Sequence, residues 1–220
     1  MHKKRIIIIL GRAGSGKGTQ SKLLEEKFGF KYMGSGNILR ARFKKKDFTG
    51  KKLDRVLGGG GLAPTAIIFK LWVDELEKIK QEDSNGFIVD GSPRKIFEAQ
   101  LMDQAFEWYE WERCLRIFYI DISRQESFSR LTTRKLCGKC GRIIPYIGEF
   151  KKIEKCDKCG GELKVRHDDH PDGIKKRLDL FEEETKPIID YYKKTDREII
   201  EINGEQSIEK VFADILKHLK

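Results

Sequence analysis

The sequence predicts an α/β fold in which a parallel, doubly wound sheet of five strands lies between helices. Two patterns predict it. Short apolar segments alternate with helical ones along most of the chain, and the first apolar segment runs directly into a glycine-rich turn and a helix. The strand segments are Arg5–Leu10 and residues 31–33, 87–90, 116–122 and 198–202. The first is Arg-Ile-Ile-Ile-Ile-Leu, apolar without alternation, as expected of a strand covered on both faces.

The helical segments follow in order. The one after the glycine turn carries Leu23, Leu24 and Phe28 on one face. A second runs from about residue 66 to residue 80, with Thr65 expected to cap it. A third carries Ile96, Ala99, Leu101 and Met102. The last shows Ile208, Val211, Phe212, Ile215, Leu216 and Leu219 at helical spacing, with Ser207 expected as its N-cap. Two stretches break the alternation and read as inserts on one core. Residues 34–64 are basic and end in Gly58-Gly59-Gly60-Gly61, a candidate hinge. Residues 132–169 hold four of the five cysteines and many turn residues.

A chain of 220 residues can bury one substantial core with small inserted subdomains. Its 39% hydrophobic and 36% charged residues describe a water-soluble protein, and the longest apolar run, about five residues, is far below the ~20 that span a bilayer. Met1-His2-Lys3-Lys4-Arg5 and the apolar run after it are too short for a secretory signal, so a cytoplasmic location is expected. The net charge of +10 fits anionic ligands such as nucleotides, a surface that touches nucleic acid, or simply a solvated Lys/Glu face.

The most informative segment is Gly11-Arg12-Ala13-Gly14-Ser15-Gly16-Lys17-Gly18-Thr19-Gln20. Glycines allow backbone N–H groups to converge on one point, Lys17 adds a fixed charge, and a helix N-terminus aims at the same place. Such a nest binds a polyphosphate. The spacing is that of a Walker A loop, except that Gly18 separates the lysine from Thr19. In parallel sheets ligands sit beyond the carboxyl ends of the strands, where this loop falls.

Cys137-Gly-Lys-Cys140-Gly and Cys156-Asp-Lys-Cys159-Gly are two copies of one device. In each, two thiolates grip a metal and the following glycine folds the turn back. Together Cys137, Cys140, Cys156 and Cys159 make a closed tetrahedral site suited to one structural zinc, with no position open for a catalytic water. Cys114 stands alone and reads as a core residue.

Asp90-Gly91-Ser92-Pro93-Arg94 lies just past a strand end, Arg40 follows Ser35, Arg130 and Arg134 open the cysteine insert, Arg166 with Asp168 and Asp169 closes it, and Arg177 lies at the next helix. A carboxylate such as Asp90 can hold waters of a bound Mg²⁺, while arginines clamp phosphate oxygens. With the phosphate loop and the four cysteines, these residues resemble adenylate kinase in its long form with a zinc-bearing lid, over nearly the whole chain to Asn203-Gly204-Glu205-Gln206.

That resemblance implies a P-loop three-layer α/β/α core formed by residues 1–33, 64–131 and 170–220. It also implies a helical insert for the nucleoside monophosphate at 34–63 and a zinc-binding lid at 132–169. It implies reversible phosphoryl transfer from Mg·ATP to AMP, giving two ADP, by a monomer that needs neither nucleic acid nor membrane. Carried over by position, Gly14, Ser15, Gly16, Lys17, Gly18 and Thr19 hold the ATP phosphates, with Lys17 on the transferred group. Arg130 lies on the ATP base, Arg134 on its phosphates, and Ile143, Ile144 and Gln206 near that base. Ser35, Arg40, Gly61, Leu62, Ala63, Gly91, Ser92, Pro93, Arg94 and Glu98 surround AMP. Arg166 and Arg177 bridge both nucleotides, Asp90 serves the magnesium, and Asp168 and Asp169 latch the lid. Such a reaction needs no protein nucleophile, only positioning and charge neutralisation.

The chain departs from the family pattern at several positions. Glu98 replaces a glutamine that reads the acceptor base, and an ionised carboxylate only accepts hydrogen bonds. Ala13 stands for a proline, Ser92 for an aromatic residue, Asn37 for an aspartate and Ile144 for a tyrosine. Glu98 therefore motivates an alternative acceptor (GMP, CMP or UMP). A reading of another class is a nucleotide-gated nucleic-acid-binding protein, disfavoured because a switch needs no arginines around a second phosphate.

Overall fold

A computed structural model describes residues 5–82, 84–145, 148–166, 169–195 and 197–219 (the side chain of residue 149 aside). In chain order, β1 (Arg5–Leu10) leads to α1 (Lys17–Phe28), β2 (Lys31–Gly34), α2 (Ser35–Phe43), α3 (Phe48–Gly58) and α4 (Thr65–Gln81). Then come β3 (Gly86–Asp90), α5 (Ile96–Trp108), β4 (Leu115–Asp121) and α6 (Arg124–Thr133). Short strands β5 (Lys135–Cys137), β6 (Ile143–Ile144) and β7 (Leu163–Val165) follow, and then α7 (Pro171–Leu180). One wider π-helical turn, Phe181–Thr185, joins α7 to α8 (Pro187–Lys194), before β8 (Ile199–Asn203) and α9 (Ile208–Lys217).

The main sheet has five strands in the order β2-β3-β1-β4-β8, every pair parallel. Strand β1 lies at its centre, with Ile7 level with Ile88 on one side and Arg116 on the other. Its isoleucines alternate between two cores because successive side chains of a strand point to opposite faces. Ile6 and Ile8 join Phe87, Val89, Trp72 and Phe106 on one face; Ile7 and Ile9 join Ile88, Phe118, Ile120, Val211 and Ile215 on the other. An unbroken apolar run is what such a strand requires.

Element boundaries differ from expectation in small ways with local causes. Ser207 does cap α9, accepting from the N–H of Lys210 at 3.3 Å. Thr65 does not cap α4: it is the first helical residue, behind Pro64, which has no side-chain oxygen to offer. In α5 the buried face is Glu98, Ala99, Met102, Ala105 and Phe106, whereas Ile96 is exposed. The glycines at 58–61 allow close approach. A Cβ on Gly60 (φ 75°) would lie 2.5 Å from the carbonyl oxygen of Gly173 in α7. Cys114 is half-buried against the larger core.

Strands β5, β6 and β7 form a separate three-stranded antiparallel sheet, in the order β6-β5-β7. The carboxyl ends of β1, β2, β3, β4 and β8 all face one way, because the sheet is parallel. They open into residues 11–16, Ser35, residues 91–94, Ile122 and residues 204–206. No described helix is long and apolar enough to cross a membrane.

Candidate active site

The loop at 11–16 wraps the start of α1. Gly16, in the left-handed conformation (φ 97°), occupies the N-cap, so Lys17 opens the helix. Gly11 is equally constrained, since a Cβ there would meet the carbonyl oxygen of Ile120 at 2.4 Å. Gly14 packs on α6, with a Cβ position 3.2 Å from Leu131. The Lys17 ammonium donates to the carbonyls of Gly11 and Arg12, both at 2.8 Å, so the loop itself holds the cation. Ser15 is buried, and its hydroxyl packs against Gly11 inside the loop, 2.7 Å from where a Cβ on Gly11 would be. Gly18 and Thr19 continue the first turn, and a Cβ on Gly18 would stand 3.3 Å from Asp90 Oδ2. The Asp90 carboxylate therefore faces the helix start. The Tyr32 hydroxyl donates to that same oxygen at 2.7 Å. Tyr32 is a contact sequence reasoning missed, because 58 positions separate the partners.

Beyond β3, the Arg94 Nε donates to the Gly91 carbonyl at 2.8 Å, and its guanidinium lies 3.4 Å from where a Gly91 Cβ would be. Ser35 and Ser92 share a short hydroxyl contact, and Trp72 Nε1 donates to Ser35 Oγ at 3.3 Å. The serine at 92 thus contributes a buried polar contact where the family pattern has a ring. Pro93 joins Ser92 to Arg94. Arg40 folds over Gly36, and its Nη2 donates to Asn37 Oδ1 at 2.5 Å. The Asn37 side chain is therefore engaged within its own helix. Gly61, Leu62 and Ala63 lead out of α3, with the Gly61 N–H on the Val56 carbonyl at 2.9 Å.

Glu98, only 3% exposed, accepts from the backbone N–H of Arg94 at 2.7 Å. It is the third residue of α5 and reaches back past the N-cap Lys95 to satisfy a backbone donor just before the helix. Burial pushes its carboxyl above the usual range, against the pull of the Arg94 N–H and charge.

The sharpest grouping involves Arg134, Arg177 and Asp169. Arg134 donates to both oxygens of Asp169 at 2.7 Å, and Arg177 Nη2 donates to Oδ1 at 2.6 Å. The carboxylate is fully covered, and the two arginine side chains are 13% and 11% exposed. Asp169 thus holds two of the expected phosphate-binding arginines. The half-buried Arg166 follows β7, and its carbonyl accepts the Asp169 N–H at 2.9 Å. Asp168 lies outside the described residues. Arg130 pairs with Glu126 at 2.6 Å and donates to the Gly204 carbonyl at 2.9 Å. That contact ties α6 to the loop bearing Gln206, whose amide donates to Asp214 at 2.7 Å. Ile143 is exposed and Ile144 buried in β6.

Lys17 registers the whole cluster. Burial pushes its ammonium down to about 8; Asp90 opposes that, while the charges of Arg94, Arg134 and Arg177 reinforce it. Arg94 follows β3, Arg134 follows α6 and Arg177 lies in α7, yet the charges of all three are felt at Lys17.

The four cysteine sulfurs form the second cluster. All lie within 4.8 Å of one another, with Cys137 and Cys159 at 3.5 Å and Cys140 and Cys156 at 3.6 Å. Four sulfurs at ~2.3 Å from a tetrahedral zinc would be about 3.8 Å apart, whereas a disulfide requires about 2.05 Å. The donor set fits such an ion. Gly141 (φ 71°) and Gly160 (φ 67°) turn each knuckle back, and a Cβ on Gly161 would lie 2.9 Å from Cys137 Sγ.

Comparison with known proteins identifies what a phosphate loop ringed by arginines serves. The family model described as adenylate kinase matches residues 9–197. This chain belongs to the adenylate kinase family. It is 37% identical over 214 residues to an adenylate kinase of Methanothrix thermoacetophila, with 97% of each chain covered. It is 36% identical to one of Clostridium botulinum strain Loch Maree (95% of each). A third, from Caldicellulosiruptor bescii, is 33% identical, covering 97% of this chain and 98% of the relative. The protein is a nucleotide-binding phosphotransferase that moves a phosphoryl group between ATP and AMP.

In this kinase the lowered Lys17 value has a measurable consequence. The folded value of about 8 lies below the ordinary 10.5, so between these pH values the unfolded chain binds more protons. Stability of the ligand-free enzyme therefore rises with pH through that window. Bound phosphates favour the charged amine, so ATP binding at pH 8.5 is expected to take up a proton, in a fraction set by the titration of Lys17. Calorimetry in buffers of different ionisation heat measures this; binding without proton uptake would refute it.

Proposed function

We propose that this kinase transfers the terminal phosphoryl group of ATP directly to an AMP oxygen, in line, with Lys17 and converging arginines stabilising the group in flight. The observation that carries this reading is the cluster of Lys17, Arg94, Arg134 and Arg177, with Asp169 pairing two of its members. Donor and acceptor are both anionic, so the largest obstacle to their meeting is mutual repulsion. Cations held in a dry site lower it without reorganising during the step. Gly14, Ser15, Gly16, Lys17, Gly18 and Thr19 bind the ATP phosphates in this account. Arg130, Ile143, Ile144 and Gln206 border its base. Ser35, Arg40, Gly61, Leu62, Ala63, Gly91, Ser92, Pro93 and Arg94 border AMP. Arg134, Arg166 and Arg177 reach the transferred group.

The Asp169 carboxylate pre-orders Arg134 and Arg177 before nucleotides arrive. On binding, both arginines turn further donors toward phosphate oxygens while Asp169 stays their shared counter-ion. Residues 34–63 close over AMP and residues 132–169 over ATP, both on the core of residues 1–33, 64–131 and 170–220. Closure excludes water, which would otherwise hydrolyse the donor.

Magnesium, when bound, would neutralise donor phosphate charge, and Asp90, whose carboxylate faces the helix start, is its candidate holder through water. Zinc, when bound to Cys137, Cys140, Cys156 and Cys159, would hold the small sheet together. The enzyme works as a cytoplasmic monomer on ATP, AMP and ADP, without nucleic acid or membrane. A reducing compartment suits four clustered free thiols.

Glu98 is assigned to helix capping rather than base reading, on the strength of its bond to the Arg94 N–H. Offering AMP, GMP, CMP and UMP separately with Mg·ATP tests this together with the acceptor. The expected result is ADP formation with strong AMP preference in both the native enzyme and Glu98→Gln, since glutamine keeps an accepting oxygen. A change in the AMP:GMP ratio in Glu98→Gln would return Glu98 to base reading.

A further inference from the structure

The main chain of Arg12 belongs to the phosphate loop, and its carbonyl accepts both the Lys17 ammonium (2.8 Å) and the Ser15 N–H (3.2 Å). Its side chain is committed elsewhere. Arg12 is 9% exposed, and Nη1 donates to Asp121 Oδ1 and to the Ile122 carbonyl, both at 2.9 Å. Nη2 donates to Glu182, and the guanidinium lies over the Phe181 ring, 4.7 Å from its centroid.

Those last partners sit in the π-helical turn Phe181–Thr185. The same turn reaches the acceptor side, where the Thr185 hydroxyl donates to the Arg94 carbonyl at 3.0 Å. It also continues α7, which carries Arg177 a turn upstream. One junction is thus tied to the loop expected to bind donor phosphates, to Arg94, and to Arg177.

We propose that Arg12 is a positioning residue for phosphoryl transfer: its guanidinium locks the phosphate loop to the Phe181–Thr185 junction and so fixes the donor phosphates relative to Arg94 and Arg177. The inference rests on the roles of those two arginines given above. Stability alone is a poor explanation for this residue. Its partners Asp121 and Glu182 keep 54% and 35% of their side chains exposed, and ion pairs open to solvent contribute little to stability. A planar fork that bonds two carboxylates and a carbonyl while stacking on a ring does fix orientation, and lysine cannot reproduce it. Displacing reacting groups by about 1 Å can cost ~10²-fold in rate.

The test measures kcat, both KM values and thermal midpoints for Arg12→Ala, Arg12→Lys, Glu182→Gln, Thr185→Val and the Arg12→Ala/Thr185→Val pair. Arg12→Ala is expected to lose ~10²-fold in kcat with smaller changes in either KM. Arg12→Lys should recover thermal stability more than kcat, and Glu182→Gln should fall between native and Arg12→Ala. The double variant should lose less than the product of its two single losses, because both act through the same junction. Native kcat in Arg12→Ala, full kcat recovery in Arg12→Lys, or strictly multiplicative losses would overturn the proposal. If Arg12→Ala does not fold, Glu182→Gln and Thr185→Val decide: native kcat in both rejects it. A native rate in Arg177→Ala would instead indict the arginine assignments.

Discussion

Replacing Arg177 with alanine is expected to lower kcat by roughly 10³- to 10⁵-fold, the range over which a single transition-state arginine acts in phosphoryl transfer. The substitution removes one of three arginines whose charge reaches Lys17 and one of two that share Asp169. Both KM values should change far less, because the loop at 14–19 and the acceptor-side residues remain. The fold should also persist. Arg134 still pairs bidentately with Asp169, so the buried carboxylate keeps a counter-ion, the condition for avoiding the large penalty of an isolated buried charge. Steady-state kinetics beside a thermal midpoint separates the two effects. A loss below tenfold would mean that Arg177 only supports Asp169.

Removing the metal from the cysteine cluster should be the largest stability effect, confined to one part of the molecule. Of the described residues in 135–165, only Cys137, Ile144 and Cys156 are buried. A sheet with so little apolar interior cannot offset its own ordering entropy. Structural zinc in small zinc-finger peptides supplies about 10–16 kcal/mol of apparent binding energy, which serves as folding energy. Metal analysis should find one equivalent per chain. In the chelated protein and in Cys156→Ser, amide exchange protection should vanish from residues 135–165 yet persist in β1, β3 and β4. Turnover should fall with it, because Arg134 borders that sheet. A metal-free protein with unchanged protection there would remove zinc from the account.

Much of this was legible in the residues. The run Ile6-Ile7-Ile8-Ile9 announces a strand covered on both faces, and both cores receive its side chains alternately. The paired Cys-x-x-Cys-Gly units announce the sulfur cluster because their chemistry is local. Contacts set by tertiary distance were not legible. Arg12 carries no assignment from the sequence, since its partners lie 109 to 170 positions away. Tyr32 and Thr185 escaped notice for the same reason. Glu98 drew attention as a substitution at a base-reading position, while its use by its own helix depends on the turn at 94–95, which periodicity does not describe. Thr65 was misjudged as a cap because Pro64 sets the backbone entry into α4.

The central claim is direct transfer between nucleotides by positioned cations, with no phosphorylated protein intermediate. The most direct measurement uses ATP made chiral at its γ-phosphorus with oxygen isotopes, followed by analysis of the β-phosphorus in the ADP formed from AMP. A single in-line displacement predicts inversion of configuration. Retention would require two displacements through a protein nucleophile and would contradict the account.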